Sequence, residues 1–209
     1  MNKKSKLYQH HKKIKEAISA QKKIVLWILA GRPIPPPHVV KQRIIRGYAE
    51  KYKLNTFVET GTFMGEMIDA MLPVFPKIIS VEIDPVLAAR AQKKFSAYPQ
   101  VSIIREDSSA ALPAIVTGNK EPCLFWLDAH YSGGGTGKSD LETPIMQELN
   151  ILLNNSPWNH IILIDDAREF TGSNNYPTLE EVKKLIAARR PDWLMQVKDD
   201  VIRIHPSGI

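Results

Sequence analysis

One cysteine, no apolar run long enough for a bilayer and almost no acid in its first quarter are the shortages that bound this sequence. The lone Cys123 cannot form an internal disulfide, which points to a reducing, cytoplasmic compartment. The early apolar run over 24–30 has seven residues, where a membrane span needs about 20. It lies late and is followed by Gly31-Arg32-Pro33 instead of a small-residue cleavage site, so the N-terminus does not read as a signal peptide. Collagen-like, disordered and disulfide-scaffold classes are excluded by composition. What is there is a 209-residue chain, 44% hydrophobic, suited to one α/β domain with an extension and burying roughly 70% of its unfolded surface.

The charge is uneven. Only Glu16 and Glu50 oppose 14 Lys+Arg in residues 1–53, a local balance of +12 within an overall +6, which leaves −6 on the rest. A basic arm therefore joins an acidic body, and the total does not by itself argue for nucleic acid. Residues 5–30 read as a helix with Leu7, Ile14, Ile18 and 24–29 on its apolar side and Lys12, Lys13, Lys15, Lys22 and Lys23 around the rest. Two readings stay open: a helix that contacts RNA or a membrane surface, or one whose apolar end packs on the body or on a second subunit of a homo-oligomer. The proline-rich stretch 31–37 is a stiff connector. The domain division is thus an arm over 1–37 and a body over 38–209, led by a helix over 38–53.

The body alternates. Strands are expected over 56–59, 77–83, 101–104, 123–127 and 160–164, with helices over 66–72, 85–95, 109–115 and 142–153 between them. Thr178-x-x-Glu181 is a capping box that opens a helix over 179–189. Strands over 193–197 and 201–205 then form a hairpin. The fold class is α/β: a Rossmann-like, doubly wound seven-stranded sheet, mostly parallel, with a C-terminal antiparallel hairpin and an N-terminal helical extension.

Ligands of open α/β sheets bind at the carboxyl ends of the strands, near the switch in strand order. The first strand ends in Glu59-Thr60-Gly61-Thr62-Phe63-Met64-Gly65, an acid-x-Gly-x-x-x-Gly loop that departs from the dinucleotide fingerprint and suits a ligand without phosphates that carries positive charge. The second ends in Glu82, 21 residues after Gly61 and placed to accept from two ribose hydroxyls. Asp84-Pro85 reads as the cap of the next helix. The third ends in Asp107-Ser108, which either bonds an adenine edge or caps the following helix.

Together these ends resemble the cofactor site of class I S-adenosylmethionine (SAM)-dependent methyltransferases, over about residues 54–206. The resemblance implies SAM as cofactor, Glu59 and Gly61 by its methionine part with Thr60 and Gly65 in the same loop, Glu82 on the ribose, and Asp107 and Ser108 beside the adenine.

The fourth and fifth strands run straight into carboxylates, Asp128 and the pair Asp165-Asp166. Acids at adjacent strand ends repel unless a cation, a proton or a basic partner lies between them. Oxygen ligands favour Mg²⁺ over zinc. The pattern is similar to metal-dependent O-methyltransferases, the group of the catechol, caffeoyl-CoA and macrocin enzymes, and implies Asp128, Asp165 and Asp166 as metal ligands, with Asp128 also near the cofactor. The catechol enzyme's lysine base has Tyr131 in its place here, and His130, with an ordinary pKa of about 6.5, is the better general-base candidate. The glycine-rich stretch 132–138 is out of register for a phosphate loop and is expected to be a lid. Arg168, Phe170 and Tyr176 are candidates for the mouth, and Arg168 could pair with Asp166. The expected activity is methyl transfer to a hydroxyl of a sugar, phenol or natural product. The alternatives are an RNA methyltransferase using the basic arm and a metal-independent small-molecule enzyme.

Overall fold

A computed structural model describes residues 3–129, 143–154 and 157–208. Seven strands form one sheet: β1 (Thr56–Thr60), β2 (Lys77–Glu82), β3 (Val101–Arg105), β4 (Cys123–Leu127), β5 (Ile161–Ile164), β6 (Trp193–Lys198) and β7 (Val201–Pro206). Their order is β3-β2-β1-β4-β5-β7-β6. The first five are parallel, and β7 pairs antiparallel with both β5 and β6. The expected fold class is present. The order reverses between β1 and β4, so a crevice opens there at the carboxyl ends.

Two layers of helices cover the sheet because its central strands are apolar on both faces; every residue of β1, β4 and β5 is buried. Phe57, Leu124 and Trp126 face α2 (His38–Tyr52), α3 (Glu66–Met71) and α4 (Pro85–Phe95). Val58, Phe125 and Leu127 face α5 (Ser108–Gly118), α6 (Ile145–Asn154) and α7 (Leu179–Arg189). The lead helix α2 is therefore an integral layer of the domain. Its buried stripe is Lys41, Ile45 and Ala49, one turn apart. The expected capping box closes around Thr178 and Glu181. The β6–β7 hairpin turns on Asp199 and Asp200, both at positive φ, as the two-residue turns that match strand twist require.

The arm is one long helix, α1 (Lys3–Leu29). Its apolar end is used only in part. Ile24 and Trp27 pack on Val40 in a small cluster apart from the sheet, while Leu26 and Leu29 are exposed. Trp27 Nε1 donates to Pro33 O (2.8 Å), and Arg32 meets Asp199 at 3.4 Å. No described helix is long and apolar enough to cross a membrane.

This separation of clusters is testable. Leu149→Ala, in the main core, should cost about 2–5 kcal/mol in denaturant unfolding. Trp27→Ala should leave the main transition nearly in place and instead speed tryptic cleavage at Lys22 and Lys23.

Candidate functional site

The loop after β1 is shaped from beneath. Gly61 sits at φ +86°, and a Cβ there would lie 2.7 Å from the Asp128 carbonyl oxygen, so only glycine lets the β1 and β4 ends approach this closely. Glu59 is buried and accepts from Ser80 Oγ (2.6 Å), which in turn meets Thr62 Oγ1 (2.6 Å). Burial pushes the Glu59 carboxyl up to about 8. Its shown partners make it a brace under the glycine loop.

Glu82 at the end of β2 is oriented by two backbone amides. Phe63 N donates to Oε2 (2.8 Å) and Asp84 N to Oε1 (2.9 Å). A carboxylate has about four acceptor positions, so capacity remains for a vicinal diol. Gly65, at φ +68°, starts α3. A Cβ on Gly65 would clash with the Phe95 ring at 2.6 Å, so its glycine serves helix packing. Asp107 caps α5, its Oδ1 accepting from Ser109 N (2.8 Å) and Ser109 Oγ (2.5 Å). Asp84 caps α4 in the same way, as the sequence suggests.

The reaction end is where the structure adds most. Ladder bonds from Asp128 N to Thr60 O and from Asp165 N to Leu127 O hold the ends of β1, β4 and β5 together. Asp128, Asp165 and Asp166 converge, one ligand-type oxygen of each lying within 4.8 Å of the others. Asp166 is in the left-handed region (φ 53°), with its amide bonded to Asp165 Oδ1 (2.8 Å). Its side chain is turned back to its neighbour's cluster at a modest conformational cost.

These acids are not left to repel. Lys41, from the buried stripe of α2, places its ammonium 2.6 Å from Asp165 Oδ2 and 3.1 Å from Asp166 Oδ1. Arg168 Nη1 is 2.9 Å from Asp166 Oδ1 and also grips Asp200 in the β6–β7 turn. The paired acids raise the Lys41 pKa against the opposing effect of burial, so it stays protonated. Burial, then Asp128 and Asp166, push the Asp165 carboxyl up from its ordinary value, with Lys41 opposing. His38, one turn before Lys41, is held below its ordinary value chiefly by burial.

A small cavity of about 10 Å³ opens beside this cluster, lined by Asp128, Thr143, Glu148, Asp165, Phe170 and Tyr176 among others. Phe170 and Tyr176 thus stand at the mouth as expected, edge to face at 5.4 Å. Glu148 of α6 is new. It is 1% exposed, and among the described residues neither carboxylate oxygen meets hydrogen-bond geometry with any group. Burial pushes it up to about 7, although the Ser108 and Thr60 hydroxyls lie close enough to oppose the shift. The catalytic candidates His130 and Tyr131, and the glycine-rich stretch 132–138, lie outside the described residues.

Lys41 and Glu148 had one signal in the sequence. Each is a charged residue in phase with a buried stripe, Lys41 with Ile45 and Ala49, Glu148 with Ile145 and Leu152. A folded-state carboxyl raised from 4.5 to about 7 costs stability as pH climbs through that interval, and the full cost is present above it. Glu148→Gln should therefore raise Tm at pH 8 by roughly 3–8 °C and by much less at pH 5, measured by scanning calorimetry.

By sequence, the chain matches no protein-family model and no curated protein. By structure it is similar to the O-methyltransferase TomG from Streptomyces achromogenes, solved with SAM (TM-score 0.58, 14% identity, 90% of this chain and 88% of that one). It is similar as well to an O-methyltransferase from Bacillus cereus solved with SAH (0.60, 13%, 90% and 90%). The 23S rRNA methyltransferase ErmE also superposes (0.52, 19%, 79% and 68%). Identities this low speak for architecture and leave the acceptor open. With its strand order, its closing hairpin and these neighbours, the chain has the Rossmann-like fold of class I SAM-dependent methyltransferases.

Proposed function

We propose that this protein transfers the methyl group of SAM to a hydroxyl of a small molecule such as a sugar, a phenol or a natural product. The observation that carries the reading is one juxtaposition across the β1/β4 switch point. The Gly61 turn and the amide-oriented Glu82 lie on one side, and a carboxylate-lined cavity on the other. On this reading Glu82 accepts from the ribose hydroxyls, Asp107 and Ser108 flank the adenine, and Glu59 acts through Ser80 on the loop that meets the methionine part. Thr60 and Asp128 lie where that part meets the acceptor. The acceptor oxygen attacks the methyl carbon in line, the carbon–sulfur pair stays on sulfur, and the hydroxyl proton leaves to a carboxylate of the cavity. Holding both reactants in this alignment is the main contribution, worth up to about 7–11 kcal/mol of the barrier.

A divalent ion on Asp128, Asp165 and Asp166 is what the resemblance to metal-dependent enzymes implies, and would supply Lewis-acid activation of the acceptor hydroxyl. The donor set is right for a hard cation. Two of its three carboxylates already hold Lys41 and Arg168, however, so the residues as arranged do not fit an added ion, and no step is derived through one. An RNA acceptor draws support from the basic arm and from the likeness in fold to ErmE. Against it, Arg32 and Lys41 are directed at acids of the body itself, and the cavity is acidic, which repels phosphate.

Calorimetry on the full chain tests this. SAM should bind the wild type stoichiometrically, and Glu82→Ala should weaken it by at least about 10-fold, the worth of one charge-assisted hydrogen bond. Unchanged affinity in that variant would remove Glu82 from the ribose. No SAM binding at all would overturn the reading. A screen of hydroxylated acceptors by mass spectrometry should then give products heavier by one methylene.

A further inference from the structure

We infer that the resident cation of the acidic cluster is the Lys41 ammonium, delivered by α2, and that it holds the place a divalent metal would need. The inference rests on the methyl-transfer reading of the same site and gives that site a metal-independent character. The argument starts from the oxygens. Asp165 Oδ2 accepts from Lys41, Asp165 Oδ1 from the Asp166 amide, and Asp166 Oδ1 from both Lys41 and Arg168. Three of the four oxygens on the adjacent acids therefore already accept from donors of the chain. A metal ion needs lone pairs aimed at a common point, and here the common point of Asp165 Oδ2 and Asp166 Oδ1 is Nζ.

Displacement of that ammonium is opposed by burial. The Lys41 side chain is 11% exposed and those of Asp165 and Asp166 are 4% and 11%. An ion entering the cluster would strand a lysine in a low-dielectric layer between α2 and the sheet, where an unpaired charge is strongly disfavoured. Nor is Lys41 a surface side chain that has merely folded over. It occupies the buried stripe of its helix in register with Ile45 and Ala49, so the backbone of α2 aims it at the strand ends.

Of its three N–H donors, Asp165 and Asp166 take two. Asp165 lines the acceptor cavity, so the ammonium acts on the reaction through the carboxylate it holds. Lys41 is thus a positioning residue for the carboxylates.

Manganese binding separates this from its alternative without needing an acceptor. The wild-type full chain, titrated with Mn²⁺ and followed by electron paramagnetic resonance, should show no stoichiometric site. Lys41→Met should gain one, tighter than any residual binding by at least about 10-fold. Adding Asp165→Asn to that variant should abolish it, and Lys41→Arg should stay metal-free. Stoichiometric Mn²⁺ uptake by the wild type would overturn the inference, and that measurement requires no variant to fold. A folded Lys41→Met chain with no gain in Mn²⁺ binding would also overturn it. SAM calorimetry on the same samples reports separately on the methyl-transfer reading, so the two fail independently.

Discussion

Carboxylates at the ends of buried apolar strands need a counter-charge, and here it comes from the other end of the chain. Asp165 and Asp166 follow four consecutive buried residues of β5, where an uncompensated charge is costly. Lys41 and Arg168 make that arrangement tolerable. Much else is arranged around it. α2 must lie against the sheet to deliver the lysine, the hairpin must close to place Asp200 beside Arg168, and Asp166 must accept a left-handed backbone.

The same balance recasts the charge of the molecule. The basic first quarter and acidic remainder leave two readings open, an arm that meets an anionic partner or one that seats on the body or a second subunit. Two of its cations, Arg32 and Lys41, contact acids of the body. Lys41 belongs to a helix layer of the domain itself, so the boundary near residue 37 separates α1 and its connector from a body whose site already uses a residue counted with the arm. The acidic surplus of the body is partly an internal reserve met by this lysine.

What could be read from the sequence was local. Four- and five-residue apolar runs ending in acids gave β4 and β5, the glycine spacing gave the β1 turn, and Thr178 with Glu181 gave the start of α7, because each depends on neighbours in the chain. Strand order and the Lys41 contact depend on tertiary closure: the lysine and Asp165 are 124 positions apart, and periodicity carries no information at that range. The same limit hid the environment of Glu148, although its place on a buried stripe was visible. The roles of Asp107 and Gly65 divide in another way. Sequence offered both ligand contact and helix service for Asp107, and its shown bonds are those of a cap.

The hairpin turn has a consequence for the order of assembly. Asp200 joins Arg168, Arg168 joins Asp166, and Asp166 joins Lys41, so the ionic chain is closed by the last strand pair of the sheet in chain order. Until that turn emerges, β5 lacks its antiparallel neighbour and the acids lack Arg168's anchor. A nascent chain that lacks the hairpin would therefore present the cluster with its charges unsettled, and competence at the reaction end is acquired only when α2 and the β6–β7 turn meet at the ends of the strands.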